Sequence, residues 1–134
     1  MKVSAGIIIT DGERILLGHS TGNSHWDIPK GEVDLGEEYL DTAIRETQEE
    51  FGITFKKEEL IDLGLFSYLK RKNLYLFKIT VKDFPKECEC TSFFKGKNGI
   101  DIPEIDDFKV FSNKEGLSKL NKSMQKVFIE HNLI

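Results

Sequence analysis

The sequence predicts a mixed α/β domain, with strands before and after one central helix and another helix at the end of the chain. Residues 3–10 are rich in β-branched side chains and stop at Asp11-Gly12, a dipeptide typical of hairpin turns. Residues 37–51 have the apolar spacing of a helix, and Gly52 is placed to end it. The length of 134 residues fits one sizeable core, so we expect residues 1–134 to form a single domain.

The remaining elements are predicted in chain order from alternation, helical spacing and turn residues. They are a strand at 14–18, a loop at 20–36 with a short apolar piece at 26–28, two antiparallel strands at 63–69 and 74–81 with a turn at 71–73, a strand at 87–94, a mobile loop at 95–103, a short strand at 108–111 and a helix at 117–133. Five apolar residues of the last helix are expected to face inward: Leu117, Leu120, Met124, Val127 and Phe128.

Composition and charge limit the possible classes of protein. With 39% hydrophobic and 31% charged residues, the chain is an ordinary soluble globular protein by composition. Its net charge of −4 argues against a general nucleic-acid binder, and we interpret the basic cluster at 70–72 as a solvated turn. The apolar run near the N-terminus is too short to span a bilayer and lacks a signal-peptide cleavage pattern, so we expect no membrane association and a cytoplasmic location. Cys88 and Cys90 make only half of a zinc site, so we expect two reduced thiols.

Three glutamates share one side of the predicted central helix. Successive helical residues are about 100° apart, so Glu46, Glu49 and Glu50 lie within roughly 100° of arc. A face packed into the core is predicted for five other residues: Leu40, Ala43, Ile44, Thr47 and Phe51. Like charges at this spacing cost roughly a few tenths of a kcal/mol per pair. Taken alone, three such glutamates are more often part of a solvated surface than a metal site.

The residues before this helix favour a metal site over an acidic surface. Gly31 and Gly36 bracket a tight loop that could bring a backbone carbonyl oxygen to the same cation as the glutamates. Carboxylates, a carbonyl and water are the hard oxygen ligands that magnesium takes. Arg45 precedes Glu49 by four residues and could brace its carboxylate. Lys30 lies at the mouth of the loop, either meeting a phosphate oxygen or standing as a surface lysine without a partner.

The spacing of these residues resembles the Nudix box. Gly31 is followed after five residues by Glu37, and after seven more by the run Arg45-Glu46-Thr47-Gln48-Glu49-Glu50-Phe51-Gly52-Ile53. All fixed positions of that pattern are filled, and Thr47 stands where the family usually has an aliphatic residue. The resemblance extends over residues 3–111: it takes in Ser4-Ala5-Gly6, residues 26–32 and the late acidic run 104–108, although Val110 stands where the family often has a tryptophan.

This resemblance implies an α/β/α sandwich on a mixed β-sheet, and a hydrolase of a nucleoside diphosphate linked to another group. It implies magnesium, with manganese as a possible substitute, held by one backbone carbonyl and three carboxylates: Gly31, Glu46, Glu49 and Glu50. It assigns Glu37 and Arg45 to positioning the helix and its carboxylates. Glu50 is the favoured general base, with Glu49 and Glu104 as alternatives.

The substrate is predicted from a weaker likeness. Residues 26–31, Trp-Asp-Ile-Pro-Lys-Gly, resemble the same stretch in hydrolases of dinucleoside polyphosphates and in enzymes that remove pyrophosphate from RNA 5′ ends. We therefore predict a dinucleoside polyphosphate or related nucleotide, contacted by Lys30, Trp26 and Tyr68. Tyr68, Tyr75 and Phe93 could stack a base or belong to the core.

Several alternatives stay open at this point. ADP-ribose, a nucleotide sugar, a nucleoside triphosphate and an RNA 5′ end are all compatible with the box, as is a nucleotide sensor without turnover. The intact set of box residues favours catalysis over binding alone. The expected partner is a small nucleotide, with RNA involved only if its 5′ end is the substrate, and the chain is expected to be a monomer or homodimer.

Overall fold

A seven-stranded mixed β-sheet lies at the centre of the fold. The computed structural model describes all 134 residues, Met1–Ile134. The strands are β1 (Lys2–Thr10), β2 (Arg14–Ser20), β3 (Trp26–Asp27), β4 (Lys30–Glu32), β5 (Ile61–Leu69), β6 (Lys72–Thr80), β7 (Phe93–Lys95), β8 (Asp101–Pro103) and β9 (Ile105–Ser112). The helices are α1 (Tyr39–Phe51), α2 (Asn113–Lys119) and α3 (Lys122–Glu130), and Lys57–Glu59 forms a turn of 3-10 helix.

The sheet combines one parallel pair with antiparallel neighbours. Its main path runs β3-β2-β1-β6-β5, while β4 also pairs with β1 and β9 with β2. Strands β1 and β6 are parallel along their whole lengths, and the other pairs are antiparallel. Strands β7 and β8 form a separate hairpin. The predicted α/β class with a mixed sheet is therefore confirmed.

Apolar side chains fill one core on each face of the sheet. On one face, α1 packs Ala43 and Phe51, both fully buried, against a cluster that includes Ile7 of β1. On the other face, Met124 of α3 belongs to a cluster that includes Ile8. Successive residues of a strand point to opposite faces, so β1 contributes to both cores. The resulting three layers are the α/β/α sandwich that the resemblance implied. None of the three helices has the length and apolar character needed to cross a membrane.

Helix α1 begins later than predicted and ends as predicted. Glu38 is extended, with φ −82° and ψ 152°, so the helix starts at Tyr39 rather than at residue 37. Gly52 has a left-handed φ of 72°, and its N–H donates to the carbonyl oxygen of Gln48. This conformation favours glycine, which explains why the helix stops there.

The buried face of α1 differs in part from the prediction. Ala43, Thr47 and Phe51 are buried as expected, whereas Leu40 and Ile44 are only half-buried. Thr42 is fully buried although it was not predicted to be. Its hydroxyl is satisfied there, because it donates a hydrogen bond to the carboxylate of Glu37 in the loop that precedes the helix.

Residues 87–94 do not form the predicted strand, except that β7 begins at residue 93. The backbone N–H groups of Glu89 and Thr91 donate to the carbonyl oxygens of Phe51 and Glu49, at 3.1 and 2.7 Å. A helix leaves its last carbonyls unpaired, and this segment satisfies two of them instead of pairing with a strand. The two cysteines of the segment are free thiols, both half-buried.

Other local predictions were also wrong. Residues 20–36 contain strands β3 and β4, which pair with β2 and β1, and residues 95–103 contain most of the β7–β8 hairpin. The turn between β5 and β6 lies at Lys70-Arg71, since Lys72 already pairs with Leu69. The predicted helix at 117–133 is two helices, because the Asn121 side chain caps α3 by accepting the Met124 N–H at 2.9 Å. Its apolar face was predicted well: four of the five residues are buried and Leu117 is half-buried.

Candidate active site

Two glutamates of α1, Glu46 and Glu50, point toward strand β4, and Glu49 shares Arg45 with Glu46. The carboxylate of Glu46 faces Gly31 so closely that a Cβ atom at position 31 would overlap it. Glu50 is buried, and its Oε1 accepts the backbone N–H of Lys30 at 3.1 Å. Glu49 is the most open of the three, with a side chain 38% exposed against 13% for Glu46. The backbone of β4 therefore lies directly against the acidic face of the helix.

Arg45 ties the loop between β4 and α1 to the helix. Its Nε and Nη2 donate to the two carboxylate oxygens of Glu37 at 2.9 and 3.0 Å, a bidentate arrangement. Its Nη1 donates to Glu46 at 2.9 Å and to Glu49 at 3.3 Å. Nη2 also reaches the carbonyl oxygen of Glu32 at 3.3 Å. One guanidinium thus holds two of the helix carboxylates and both ends of the loop in a fixed relation.

Glu37 is strongly held in its ionised form. Hydrogen bonds lower its pKa from an ordinary 4.5 to about 2, with Arg45 as the largest cause and the Thr42 hydroxyl second. The backbone N–H of Asp34 donates to the same carboxylate at 3.2 Å. Glu37 therefore fastens the loop to the first turns of α1.

Glu37→Gln is expected to lower the free energy of unfolding by about 2 kcal/mol near neutral pH, because it removes an ionised acceptor of several hydrogen bonds. The folded-state pKa of Glu37 lies below its ordinary 4.5, so its stabilising contribution is complete above that value and is lost as the pH falls toward about 2. Thermal unfolding of wild type and variant across this range should show the two Tm values converging in acid. Glu130→Gln, at an exposed carboxylate, is the control, and a gap that stays constant with pH would contradict the assignment.

Two carboxylates of α1, those of Glu50 and Glu46, have raised pKa values. The pKa of Glu50 is raised to about 9, chiefly by burial and further by the charges of Glu46 and Glu104, against the lowering effect of the Lys30 N–H. Burial also raises the pKa of Glu46, although Arg45 acts in the opposite direction. A divalent cation at this face would relieve both the desolvation and the mutual repulsion of the carboxylates.

The residues at this face fit a magnesium ion in donor type. Carboxylate and main-chain carbonyl oxygens are hard ligands, and the missing Cβ of Gly31 lets the loop backbone approach Glu46. Arg45 lies between Glu46 and Glu49, and no three acidic, histidine or cysteine side chains converge on a single point in this arrangement. The predicted ligand set of Gly31, Glu46, Glu49 and Glu50 therefore stays a prediction.

A polar cleft of about 430 Å³ opens beside Glu50. Three of the predicted site residues line it together: Lys30, Glu50 and Glu104. The Lys30 ammonium lies 3.2 Å from Asp27, and the positive charge on Lys30 is maintained because this carboxylate raises its pKa. The cleft thus places one fixed cation beside carboxylates, which suits an anionic substrate that arrives with a metal ion.

The NUDIX domain family model matches residues 1–130. The chain is a member of the Nudix hydrolase family. The matched region contains α1, the preceding loop and the cleft, so the family that the box resembled is confirmed.

Relatives of this Nudix hydrolase include an uncharacterized phage protein and two proteins with named activities. The chain is 34% identical to the uncharacterized 17.7 kDa protein of the e-segB intergenic region of Enterobacteria phage T4, over 93% of this chain and 91% of that protein. It is 40% identical over 80 residues to the asymmetrical bis(5′-nucleosyl)-tetraphosphatase of Sus scrofa, covering 56% of this chain and only 54% of the pig protein. It is 32% identical to the RNA pyrophosphohydrolase of Pelagibacter ubique (strain HTCC1062), over 81% and 75% of the two chains.

Solved Nudix structures share the fold. The Caenorhabditis elegans Ap4A hydrolase, solved as a binary complex, superimposes with a TM-score of 0.66 over 99% of this chain and 96% of that chain. Sequence identity in this comparison is 23%, so the likeness shows the α/β/α fold and not the substrate.

The two aromatic residues predicted to bind substrate lie in different surroundings in this Nudix hydrolase. Tyr68 does not line the cleft but contacts two residues that do: its ring centroid is 6.0 Å from Lys30 Nζ, and its hydroxyl accepts a hydrogen bond from Asn121 at 3.3 Å. Trp26 does not line the cleft, because its ring packs edge-on against His19 and Phe111. Both substrate-binding roles stay predictions.

Some polar residues of the cleft were not predicted. Asp27, His25 and Asn121 line it together with Lys30. The spacing of Asp27 three residues before Lys30 was a visible signal of a charge pair. Asn121 gave no such signal, because it reaches the cleft only through the break between α2 and α3.

A larger groove, of about 980 Å³, lies at the N-terminal end of α1. Tyr39 and Tyr75 stack in its wall at 4.5 Å between ring centroids. None of the three α1 glutamates of the acidic face lines this groove. The smaller cleft is the better candidate for the active site of the Nudix hydrolase, because it alone brings Glu50, Glu104 and Lys30 together.

Proposed function

We propose that this Nudix hydrolase uses magnesium to cleave a phosphoanhydride bond in a dinucleoside polyphosphate or a related nucleoside diphosphate derivative. The observation that carries the proposal is the cleft in which Lys30 lies beside Glu50 and Glu104, next to the remaining glutamates of α1. A polyphosphate needs positive charge along its length, and the site supplies one lysine and a set of oxygen ligands for a cation.

Each residue of the site has a proposed task. Magnesium, or manganese in its place, would be held by the carbonyl oxygen of Gly31 and the carboxylates of Glu46, Glu49 and Glu50. Glu37 and Arg45 hold the loop before α1 in a fixed position relative to the acidic face of the helix. Bound magnesium would neutralise phosphate oxygens and lower the pKa of water, which are the two difficulties of attacking an anionic anhydride.

Glu50 is our preferred general base. It is the only one of the three α1 glutamates that lines the cleft, and the Lys30 N–H fixes one of its oxygens. A base must lie within hydrogen-bond reach of the attacking water, directly or through one other water. Glu104, which also lines the cleft, and Glu49 are the alternatives.

A dinucleoside polyphosphate is the substrate we favour. The named activity of the pig relative supports it, as does the placement of Lys30 in the cleft lining. A second candidate, the 5′ end of RNA, is supported by the RNA pyrophosphohydrolase relative, which matches 81% of this chain. The net charge of −4 is less favourable for a long RNA than for a small nucleotide. We also propose that residues 1–134 act as one Nudix domain, as a monomer or homodimer.

A hydrolysis screen with separated products tests this proposal. The panel contains diadenosine tetraphosphate, ADP-ribose, a nucleotide sugar, a nucleoside triphosphate and a 5′-triphosphate RNA, each with and without magnesium. We expect magnesium-dependent turnover with the highest kcat/KM on the dinucleoside polyphosphate. A preference for the RNA would select the second candidate. No turnover by folded protein that binds nucleotide would replace the hydrolase with a sensor.

A further inference from the structure

Asp27 and Lys30 form an ion pair in the wall of the cleft. Lys30 Nζ lies 3.2 Å from Asp27 Oδ2, and the two side chains are only 19% and 13% exposed. The other carboxylate oxygen of Asp27 accepts the backbone N–H of Ile28 at 2.8 Å. This hydrogen bond fixes the orientation of the carboxylate, so one oxygen is anchored to the backbone while the other holds the ammonium.

Both ends of Lys30 are constrained. Its backbone N–H donates to Glu50, and its stem lies against β1, where a Cβ atom at Gly6 would be only 2.7 Å from the Lys30 Cβ. The ammonium lies 6.0 Å from the centroid of the Tyr68 ring. A lysine side chain is otherwise flexible and its ammonium has three donors, so Asp27 restricts its position and leaves donors free.

A carboxylate in a cleft that receives polyphosphate needs an explanation. Asp27 would repel the substrate unless its charge is matched by a neighbour, and Lys30 is the residue paired with it. An ion pair used only for stability would not need to lie at the cleft, where both residues are part of the lining. The placement is explained if the pair presents a lysine in one fixed position.

We infer that Asp27 is a positioning residue, which holds the Lys30 ammonium where it binds a phosphate of the substrate. This inference rests on the proposed function, because it assigns a phosphate to the cleft. The contact is made equally in the bound substrate and in the transition state, so its loss raises KM and leaves kcat nearly unchanged.

Asp27→Asn tests the inference with little change in shape. The asparagine Oδ1 still accepts the Ile28 N–H, and the oxygen that faces Lys30 is replaced by an amide NH2, which has no charge and cannot accept from the ammonium. We expect KM for diadenosine tetraphosphate to rise about tenfold, with kcat within about threefold of wild type. Asp107→Asn is a matched control: Asp107 accepts the N–H of its own following residue at 2.8 Å but is exposed.

A double-variant cycle separates positioning from a structural role. If Asp27 acts through Lys30, adding Asp27→Asn to Lys30→Met should leave KM unchanged or lower it, because no ammonium is left to position and the unmatched charge of Asp27 is removed. The affinity for inorganic tripolyphosphate, measured at constant magnesium, should follow the same pattern and does not depend on turnover.

The outcomes distinguish this inference from the proposed function. Unchanged KM and tripolyphosphate affinity in Asp27→Asn, with or without a lower Tm, would overturn the positioning role. An equal loss in the Lys30→Met background would also overturn it, since Asp27 would then act independently. Absence of hydrolysis in wild type, with the tripolyphosphate pattern intact, would refute the proposed function and leave the role of Asp27 supported.

Discussion

Glu50→Gln is expected to lower kcat by about a thousandfold or more, because it removes both a metal ligand and the preferred base from the cleft. The fold should survive, since the glutamine Oε1 can still accept the Lys30 N–H. The variant also removes a carboxylate whose charged form is disfavoured by burial, so Tm without metal should not fall. Steady-state kinetics and thermal unfolding, each with and without magnesium, measure these effects.

A matched change on the same helix provides the control for this variant. Asp41 forms an exposed ion pair with Lys57 at 3.0 Å and does not line the cleft, so Asp41→Asn should leave kcat within about twofold. Magnesium should raise the Tm of this control as much as that of wild type, and should raise the Tm of Glu50→Gln much less. If Glu50→Gln retained more than about a tenth of the wild-type kcat, neither role assigned to Glu50 would hold.

Gly31→Ala is expected to lower kcat/KM by about a hundredfold, because the new Cβ would overlap the Glu46 carboxylate and displace either the helix acid or the loop. The overlap involves a group that Arg45 already holds, so it cannot be relieved by simple rotation. The free energy of unfolding should also fall, by about 1–3 kcal/mol, as in other overpacked sites. Kinetics on diadenosine tetraphosphate and chemical denaturation check the two effects.

Gly96→Ala controls for the substitution itself. A Cβ atom at position 96 would meet the end of the Ile102 side chain, which is flexible and belongs to the β7–β8 hairpin. This variant should keep kcat/KM within about threefold of wild type. Wild-type activity in Gly31→Ala would show that the close approach of loop and helix has no part in catalysis.

The fold and the acidic helix could be predicted because their determinants are local. The β-branched run of β1, the turn at Asp11-Gly12 and the glycine that ends α1 each act within a few residues. The spacing of Glu46, Glu49 and Glu50 follows from helix geometry alone. The same locality explains why the Nudix box can be recognised in one sequence.

The parts that could not be predicted depend on distant partners. Residues 87–94 alternate like a strand, yet Glu89 and Thr91 bind the end of α1, some forty residues earlier in the chain. Asn121 lies in the interior of the predicted helix, yet its side chain caps the start of α3 and donates a hydrogen bond to the Tyr68 hydroxyl across the fold. The packing of the Trp26 ring against Phe111 likewise depends on a strand that lies far away in sequence.

The most direct test of the account is the rate of diadenosine tetraphosphate hydrolysis as magnesium is removed and restored. We expect saturable activation by magnesium, loss of turnover with a chelator, and full recovery when magnesium is returned in excess. The same rate in the presence of the chelator would contradict the central claim that the glutamates of α1 act through a bound metal ion.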